Sequence, residues 1–285
     1  MMQKLYNPVL LKELKLRFRF FKSITGMLFY LLALTVVVGG FLLIVTQLGG
    51  NGGYMRPDES FYLFLVLSVL QMALVLFITP GLTAGAISSE REKQTLNMLL
   101  MTTQSSWQIV MGKLTSSIAF LGFLLVAGLP IYSLVFLFGG VSPMQLVTIF
   151  LFYFVTMVAI GSIGIFYSTV TKRTITAMIA TYGTMIFLAG FTAFFFGVTL
   201  MIEEASNVAG AMPAQIFSPI AYFWAAINPG ALVLTVLSGD LSFALENVTG
   251  IGFPVWIVYL LFYVGLTALM LFLSVKKLRV NMKKG

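Results

Sequence analysis

Residues 114–171 form a stretch of 58 residues without one Asp, Glu, Lys or Arg. The whole chain is 59% hydrophobic and only 9% charged, whereas soluble domains carry about 25% charged residues. Apolar runs of about 20 residues recur along it, long enough to cross a bilayer as α-helices. We therefore expect an all-α integral membrane protein, with residues 1–285 forming a single transmembrane domain.

Six apolar segments have the length of a membrane span. They are residues 24–48, 61–87, 114–138, 144–170, 175–201 and 254–274. The first has an apolar run of about 25 residues, longer than the 7–15 apolar residues of a secretory signal peptide. We expect it to remain in the membrane as a span, so the sequence predicts six transmembrane helices.

The basic residues predict the orientation of these spans. Of 17 Lys and Arg, 16 lie in residues 1–23, 88–113, 171–174 and 275–285, and Arg56 is the exception. By the positive-inside rule these four segments and both termini are cytoplasmic, in a multi-pass protein of the cell membrane. Anionic lipid headgroups account for the basic ends, so no nucleic acid is implied. The acidic residues predicted to face outside are Asp58, Glu59, Glu203, Glu204, Asp240 and Glu246.

Residues 202–253 form an external segment that is largely apolar yet contains no Lys or Arg. Its two apolar halves flank Asn228-Pro229-Gly230, and each is too short to cross the bilayer. A seventh span here would also place the basic tail outside, against the charge rule. We therefore expect a re-entrant or interfacial helical hairpin over residues 213–239, before the sixth span.

The sequence offers little catalytic chemistry. It has no Cys and no His, which excludes disulfides, His-ligated metals and the Ser-His-Asp triad. Gly112-Lys113 is followed by Leu114 and lacks the upstream Gly of a phosphate-binding loop. None of the six spans holds a charged residue of the kind that couples ions to secondary transport. We expect no catalytic residue, metal site or cofactor site in this chain, and an energy source outside it.

A few polar and small residues in the second span are candidates for a transport pathway or for helix packing. They are Gln71, Thr79, Pro80, Gly81 and Gly85. Pro80 is expected to kink the helix, and the Gly81-x-x-x-Gly85 spacing allows close helix approach. Packing within one chain is favoured for the glycines. A buried amide needs a partner, so Gln71 either bonds a neighbouring helix or faces water in a pathway.

Residues 88–113 form a polar island between the second and third spans. It begins with four consecutive charges at 90–93. Ser89 and Glu92 have the spacing of a capping box, as do Ser105 and Gln108. The pattern indicates a cytoplasmic helix, a break near 102–104 and a second helix that continues into the third span.

Three segments carry a resemblance to ABC-2 type permeases, the membrane subunits of a large class of ABC exporters. They are Ile87-Ser-Ser-Glu-Arg-Glu-Lys-Gln-Thr-Leu-Asn-Met-Leu-Leu with Ser105-Ser-Trp-Gln-Ile-Val-Met-Gly-Lys, Asn7-Pro-Val-Leu-Leu-Lys-Glu-Leu-Lys-Leu-Arg-Phe-Arg, and Asn228-Pro-Gly-Ala-Leu. The resemblance follows the whole chain in order. It departs at Gln94, where the family usually has Gly, and at Gln104, where Pro is common.

The resemblance implies a partner for each cytoplasmic element. Two permease subunits, identical or different, would pack together in the lipid membrane, and a separate ABC ATPase dimer holding ATP and Mg²⁺ would dock from the cytoplasm. The coupling helix at about 90–101 would contact the ATPase through Glu90, Arg91, Glu92, Lys93, Thr95, Leu96, Leu99 and Leu100. The 5–22 segment resembles the amphipathic connecting helix, with Lys12, Glu13, Lys15, Arg17 and Arg19. The second and fifth spans would line the path, and Asn228, Pro229 and Gly230 would belong to an outer gate.

Three functions remain open from the sequence. The first is export of a lipid, peptide, drug or other amphipathic substrate, powered by the separate ATPase. The second is a permease-like subunit that passes ATPase work to an extracytoplasmic partner without transport. The third is a secondary transporter outside the ABC class, since sodium can be held by carbonyl and hydroxyl oxygens alone.

Overall fold

A computed structural model of the protein describes residues 21–48, 56–96, 105–208 and 218–284. Within these ranges the regular elements are helical and no strand occurs. They are α1 Phe21–Leu48, α2 Pro57–Thr83, α3 Ser88–Glu92, α4 Ser106–Phe138, α5 Pro143–Val170, α6 Thr174–Ile186, a π-helical turn Phe187–Phe191, α7 Thr192–Val208, α8 Ser218–Ile227, α9 Pro229–Leu237, α10 Gly239–Thr249 and α11 Val255–Lys284.

Six helices of the described ranges are long and apolar enough to cross a membrane. They are α1, α2, α4, α5, the rod formed by α6, the π-helical turn and α7, and α11. The expected all-α, multi-pass membrane architecture is thus confirmed. The predicted 254–274 span is only the apolar part of α11, because Lys276 and Lys277 end the hydrophobic run but not the helix.

Capping residues fix where several helices begin. The predicted capping box is present at the start of α4: Ser105 Oγ accepts the Gln108 N–H at 3.3 Å, and the Gln108 side chain accepts the Ser105 N–H at 2.9 Å. The capping box predicted for Ser89 and Glu92 is wrong. Helix α3 begins at Ser88, and Ile87 precedes it without a side-chain cap.

Helix α5 lies at the centre of the bundle and packs against α2, α4, α6 and α11. Buried tyrosines bridge it to its neighbours. The Tyr153 hydroxyl donates to the Ser68 carbonyl at 2.7 Å, and the Thr156 and Tyr259 hydroxyls lie 2.7 Å apart. Since a buried phenol needs a hydrogen-bond partner, these contacts fix the packing of α5 on α2 and α11.

Helices α5 and α11 run in the same direction. In the first half of each helix, the Phe152 ring packs against the Tyr259 ring with centroids 6.1 Å apart. In the second half of each helix, Ile165 shares a buried cluster with Leu271 and Leu278. The starts of α5 and α11 therefore lie at one end of the bundle, and their last turns lie at the other end.

Helices α8 and α9 form a bent pair whose axes differ by 94° around Asn228. Helix α10 then packs back against α8, where Tyr222, Leu245 and Val255 share a small buried cluster. The Tyr222 hydroxyl also donates to the Phe253 carbonyl at 2.7 Å. These contacts hold the pair beside the start of α11.

Candidate functional site

The short helix α3 is attached to the end of α5 by a serine hydroxyl. Ser168 Oγ accepts hydrogen bonds from the backbone N–H groups of Ile87 and Ser88, both at 2.8 Å. The first N–H groups of a helix have no partner within it, so Ser168 satisfies two donors that α3 cannot pair by itself. Ser168 is fully buried.

Arg91 binds the carboxyl end of α5. Its guanidinium donates to the Thr169 carbonyl at 3.0 Å and also to the Thr171 carbonyl. The last carbonyls of a helix lack intrahelical donors and carry partial negative charge, which makes them good partners for a cation. Arg91 thus joins α3 to the turn that connects α5 with α6.

Glu92 binds the start of the next helix, α6. Its two carboxylate oxygens accept the Thr174 N–H and the Thr174 hydroxyl, each at 2.8 Å. The carboxylate therefore caps α6, whose positive end favours a negative charge. The same two hydrogen bonds, with a smaller contribution from Arg173, lower the pKa of the Glu92 carboxyl. Adjacent residues of α3 thus bind the end of α5 and the beginning of α6.

Glu90 connects α3 to the third predicted span. Its carboxylate lies 3.3 Å from Lys113 Nζ of α4 and also accepts the Thr95 hydroxyl. Lys113 is only 4% exposed, whereas the Glu90 side chain is 30% exposed. The Thr95 N–H donates to the Glu90 carbonyl at 2.9 Å and so closes the turn that follows α3. The Glu90 carboxylate thus neutralises a nearly buried ammonium group.

Only part of the predicted ATPase contact is available for a partner in this arrangement. The helix expected over about 90–101 is not continuous, because α3 ends at Glu92 and the exposed Lys93 and Gln94 form a turn in which Gln94 has a left-handed backbone with φ of 58°. Leu96 is buried with Ile87 and Ile109. Leu99 and Leu100 lie outside the described residues, as do Lys12, Glu13, Lys15, Arg17 and Arg19 of the expected connecting helix.

The second-span candidates lie between α2 and its neighbours. Gln71 is buried, and its Oε1 accepts the Tyr30 hydroxyl of α1 at 2.9 Å. Thr79 and Pro80 are also buried. A Cβ on Gly81 would meet the Tyr182 hydroxyl at 3.3 Å, and one on Gly85 would meet Thr174 Cγ2 at 3.2 Å. Gly81 and Gly85 thus allow the last turn of α2 and the turn that follows it to approach α6 closely.

The predicted gate residue Asn228 joins the bent pair to the middle of the α6–α7 rod. Its Oδ1 caps α9 by accepting the Ala231 N–H at 2.9 Å. Its Nδ2 donates to the Ala189 carbonyl and to Thr192 Oγ1, both at 2.7 Å. Pro229 and Gly230 form the first turn of α9. The π-helical turn that contains Ala189 was not predicted, because its sequence is an ordinary apolar run.

The described residues contain no cluster of three Asp, Glu, His or Cys side chains that could hold a metal ion. Comparison with known proteins assigns no family to the chain. No protein-family model matches the chain, and a search of curated proteins found no match.

Proposed function

We propose that this chain is the permease subunit of an ABC-2 type exporter, driven by a separate cytoplasmic ATPase dimer and paired with a second permease subunit. The substrate would be an amphipathic molecule such as a lipid, peptide or drug. The observation that carries the proposal is the position of α3. This short charged helix overlaps the first residues of the 90–101 segment that resembles the coupling helix, and it binds three apolar helices directly.

The contacts of α3 support a route for mechanical work. A force on α3 would reach the end of α5 through Arg91 and the start of α6 through Glu92. Lys113 would carry the same displacement into α4. Backbone carbonyls hold Arg91, and the backbone N–H and hydroxyl of Thr174 hold Glu92, so α3 and the α5–α6 turn would move as one body.

The charge distribution along the bundle supports the proposed orientation. Lys113, Lys172 and Lys276 lie towards the end that carries α3, whereas Asp58 and Glu246 lie towards the other end. With the basic end in the cytoplasm, the positive-inside rule is obeyed. The ATPase would then reach α3 from the side where ATP is present.

The direction of α11 supports an outer hairpin at α8 and α9. A crossing by the bent pair would make α11 antiparallel to α5, whereas the two helices are parallel. In the proposal the pair therefore enters and leaves on the outer side, with Asn228 at its tip. A break in the backbone at this depth is tolerated because it is buried in protein.

A second candidate function is transmission of ATPase work without substrate transport. It is favoured by the burial of Gln71, Thr79 and Pro80 against helices of the same chain, since the side chains considered for a path are used in packing. An ATPase rate that rises with an added amphiphile would favour export. A rate that responds only to an extracytoplasmic protein would favour transmission.

Co-purification tests the proposed partner. Charge reversal at Glu90 or Glu92 would break contacts inside the chain, so the test uses the exposed Lys93. We expect the tagged chain to retain an ATPase with a phosphate-binding loop, identified by mass spectrometry, and Lys93→Glu to lose it. Lys276→Glu, exposed at the same end of the bundle, serves as the control and should retain it. Absence of any ATPase from the wild-type preparation would contradict the proposal.

A further inference from the structure

Two cavities lie on the seam between α5 and α11. The first, of about 860 Å³, is at the end of the bundle opposite α3 and is also lined by α9, α10 and the residues before α11. The second, of about 580 Å³, continues towards the end of α11. Phe154 and Val155 line both, so the cavities adjoin. Their volumes are those of ligand sites, which run from about 300 to 1,000 Å³.

The seam combines a long apolar floor with a carboxylate at one end. From Trp256 to Val275 it follows α11 for about 28 Å at 1.5 Å per residue. Glu246 is the one acidic or basic residue among the described residues that line the first cavity, and the second has none. The floor suits a hydrocarbon chain, whereas the Glu246 end suits a cation.

Within the described part of the chain, Glu246 is available to receive that cation. Its carboxylate lies over Gly252, where an added Cβ would meet Oε1 at 2.7 Å. In the described ranges no Lys or Arg forms an ion pair with it. The surrounding segment 202–253 has no basic residue in its sequence. A cationic headgroup would thus find an unneutralised carboxylate beside an apolar groove.

We propose that the seam binds a long-chain membrane amphiphile with a cationic headgroup, with the headgroup at Glu246 and the hydrocarbon chain between α5 and α11. The side chains that open the groove to the surface, Leu151, Phe154 and Trp256, are 62%, 51% and 46% exposed. The amphiphile therefore enters sideways from the lipid. This site requires neither an ATPase nor a transport cycle.

Tryptophan fluorescence tests the site. The chain has three Trp, and replacement of Trp107 and Trp224 by Phe leaves Trp256 as the reporter in the first cavity. The probes are dodecyltrimethylammonium and dodecyl sulfate, each brominated close to the headgroup and added to the full chain in an uncharged detergent. We expect saturable quenching by both probes and tighter binding of the cationic one.

Matched variants of two carboxylates on α10 identify the headgroup position. Glu246→Gln should weaken the cationic probe roughly twofold to fivefold, the range for an exposed ion pair, and remove the preference over the anionic probe. Asp240→Asn, which does not line the cavity, should leave both affinities unchanged. Thr148→Phe, which narrows the cavity, should weaken both probes. Equal binding of the two probes to the Trp256 reporter protein, equal effects of the two carboxylate variants, or no saturable quenching would overturn the proposal.

Discussion

Gln94 lies at the exposed turn after α3 with φ of 58°. The left-handed conformation costs an L-residue roughly 1–2 kcal/mol, whereas Gly adopts it readily. This is also the position at which the sequence departs from the ABC-2 type permeases that it resembles, where Gly is usual. The left-handed backbone therefore gives a physical reason why Gly suits this position, although this chain has Gln there.

Gln94→Gly should stabilise the folded protein by about 0.5–1 kcal/mol, because relief of the left-handed strain exceeds the entropy that Gly loses on folding. The midpoint of thermal unfolding in detergent measures the change. Lys93→Gly is the control, since Lys93 has φ of −79° and gains no such relief. A lower midpoint for both variants would contradict the strain argument.

Glu90 and Lys113 form a pair in which the ammonium is nearly buried and the carboxylate is partly exposed. Glu90→Gln should destabilise the protein by about 1–3 kcal/mol, less than for a fully buried pair, because Lys113 keeps its charge but loses the Glu90 carboxylate. The double variant Glu90→Gln, Lys113→Met should recover part of that loss. The unfolding midpoints of Glu90→Gln, Lys113→Met and the double variant complete a double-mutant cycle. If the losses of the two single variants simply add in the double variant, the two side chains are not coupled.

The charges at 90–93 are visible in the sequence, but the groups that they contact are not. Arg91 and Glu92 find their partners at Thr169, Thr171 and Thr174, about 80 residues away along the chain. Neither the local residue pattern nor the composition indicates contacts between residues so far apart in the sequence. The Ser105 cap, in contrast, depends on a residue three positions away and was predictable.

At the scale of elements, the π-helical turn Phe187–Phe191 and the bent pair α8–α9 are held together by Asn228. A π-helical turn disturbs the regular ladder of helical hydrogen bonds, and such turns are frequent at functional sites. Here the Ala189 carbonyl within the turn accepts the Asn228 amide. The hairpin could be predicted from its Asn-Pro-Gly break, whereas the π-helical turn has no comparable signal in Phe-Leu-Ala-Gly-Phe.

Asn228→Asp tests this contact. A carboxylate keeps the acceptor that caps α9 but cannot donate to the Ala189 carbonyl, so we expect a loss of about 2–4 kcal/mol from an unpaired buried acceptor and a buried charge. Asn247→Asp, exposed on α10, is the matched control and should change stability little. Unfolding midpoints in detergent measure both, and similar shifts would exclude a special role for Asn228.

At the scale of the whole molecule, hydropathy was enough to find the six long helices because each span depends on its own composition. The central position of α5 was not predictable, since all six spans are similarly apolar. Its role depends on particular tyrosines, such as Tyr153 and Tyr259, which find partners on other helices.

Single cysteines test the proposed topology, since the native chain has none. An impermeant maleimide applied to intact cells should label Ile220→Cys, in the first turn of the bent pair, and Asn247→Cys, on α10 after the pair. Lys276→Cys should react only after the membrane is opened. All three positions are exposed. Labelling of positions 220 and 247 from opposite sides would make the bent pair a broken span.

The central claim, that a cytoplasmic ATPase contacts this chain at α3, is tested most directly by photo-crosslinking in the cells that naturally produce it. A photoreactive residue at position 93 is predicted to yield an adduct with a subunit that carries a phosphate-binding loop. The same residue at position 62, where Tyr62 is 61% exposed near the opposite end of the bundle, should yield none. The claim is contradicted if position 93 gives no ATPase adduct or if both positions give the same one.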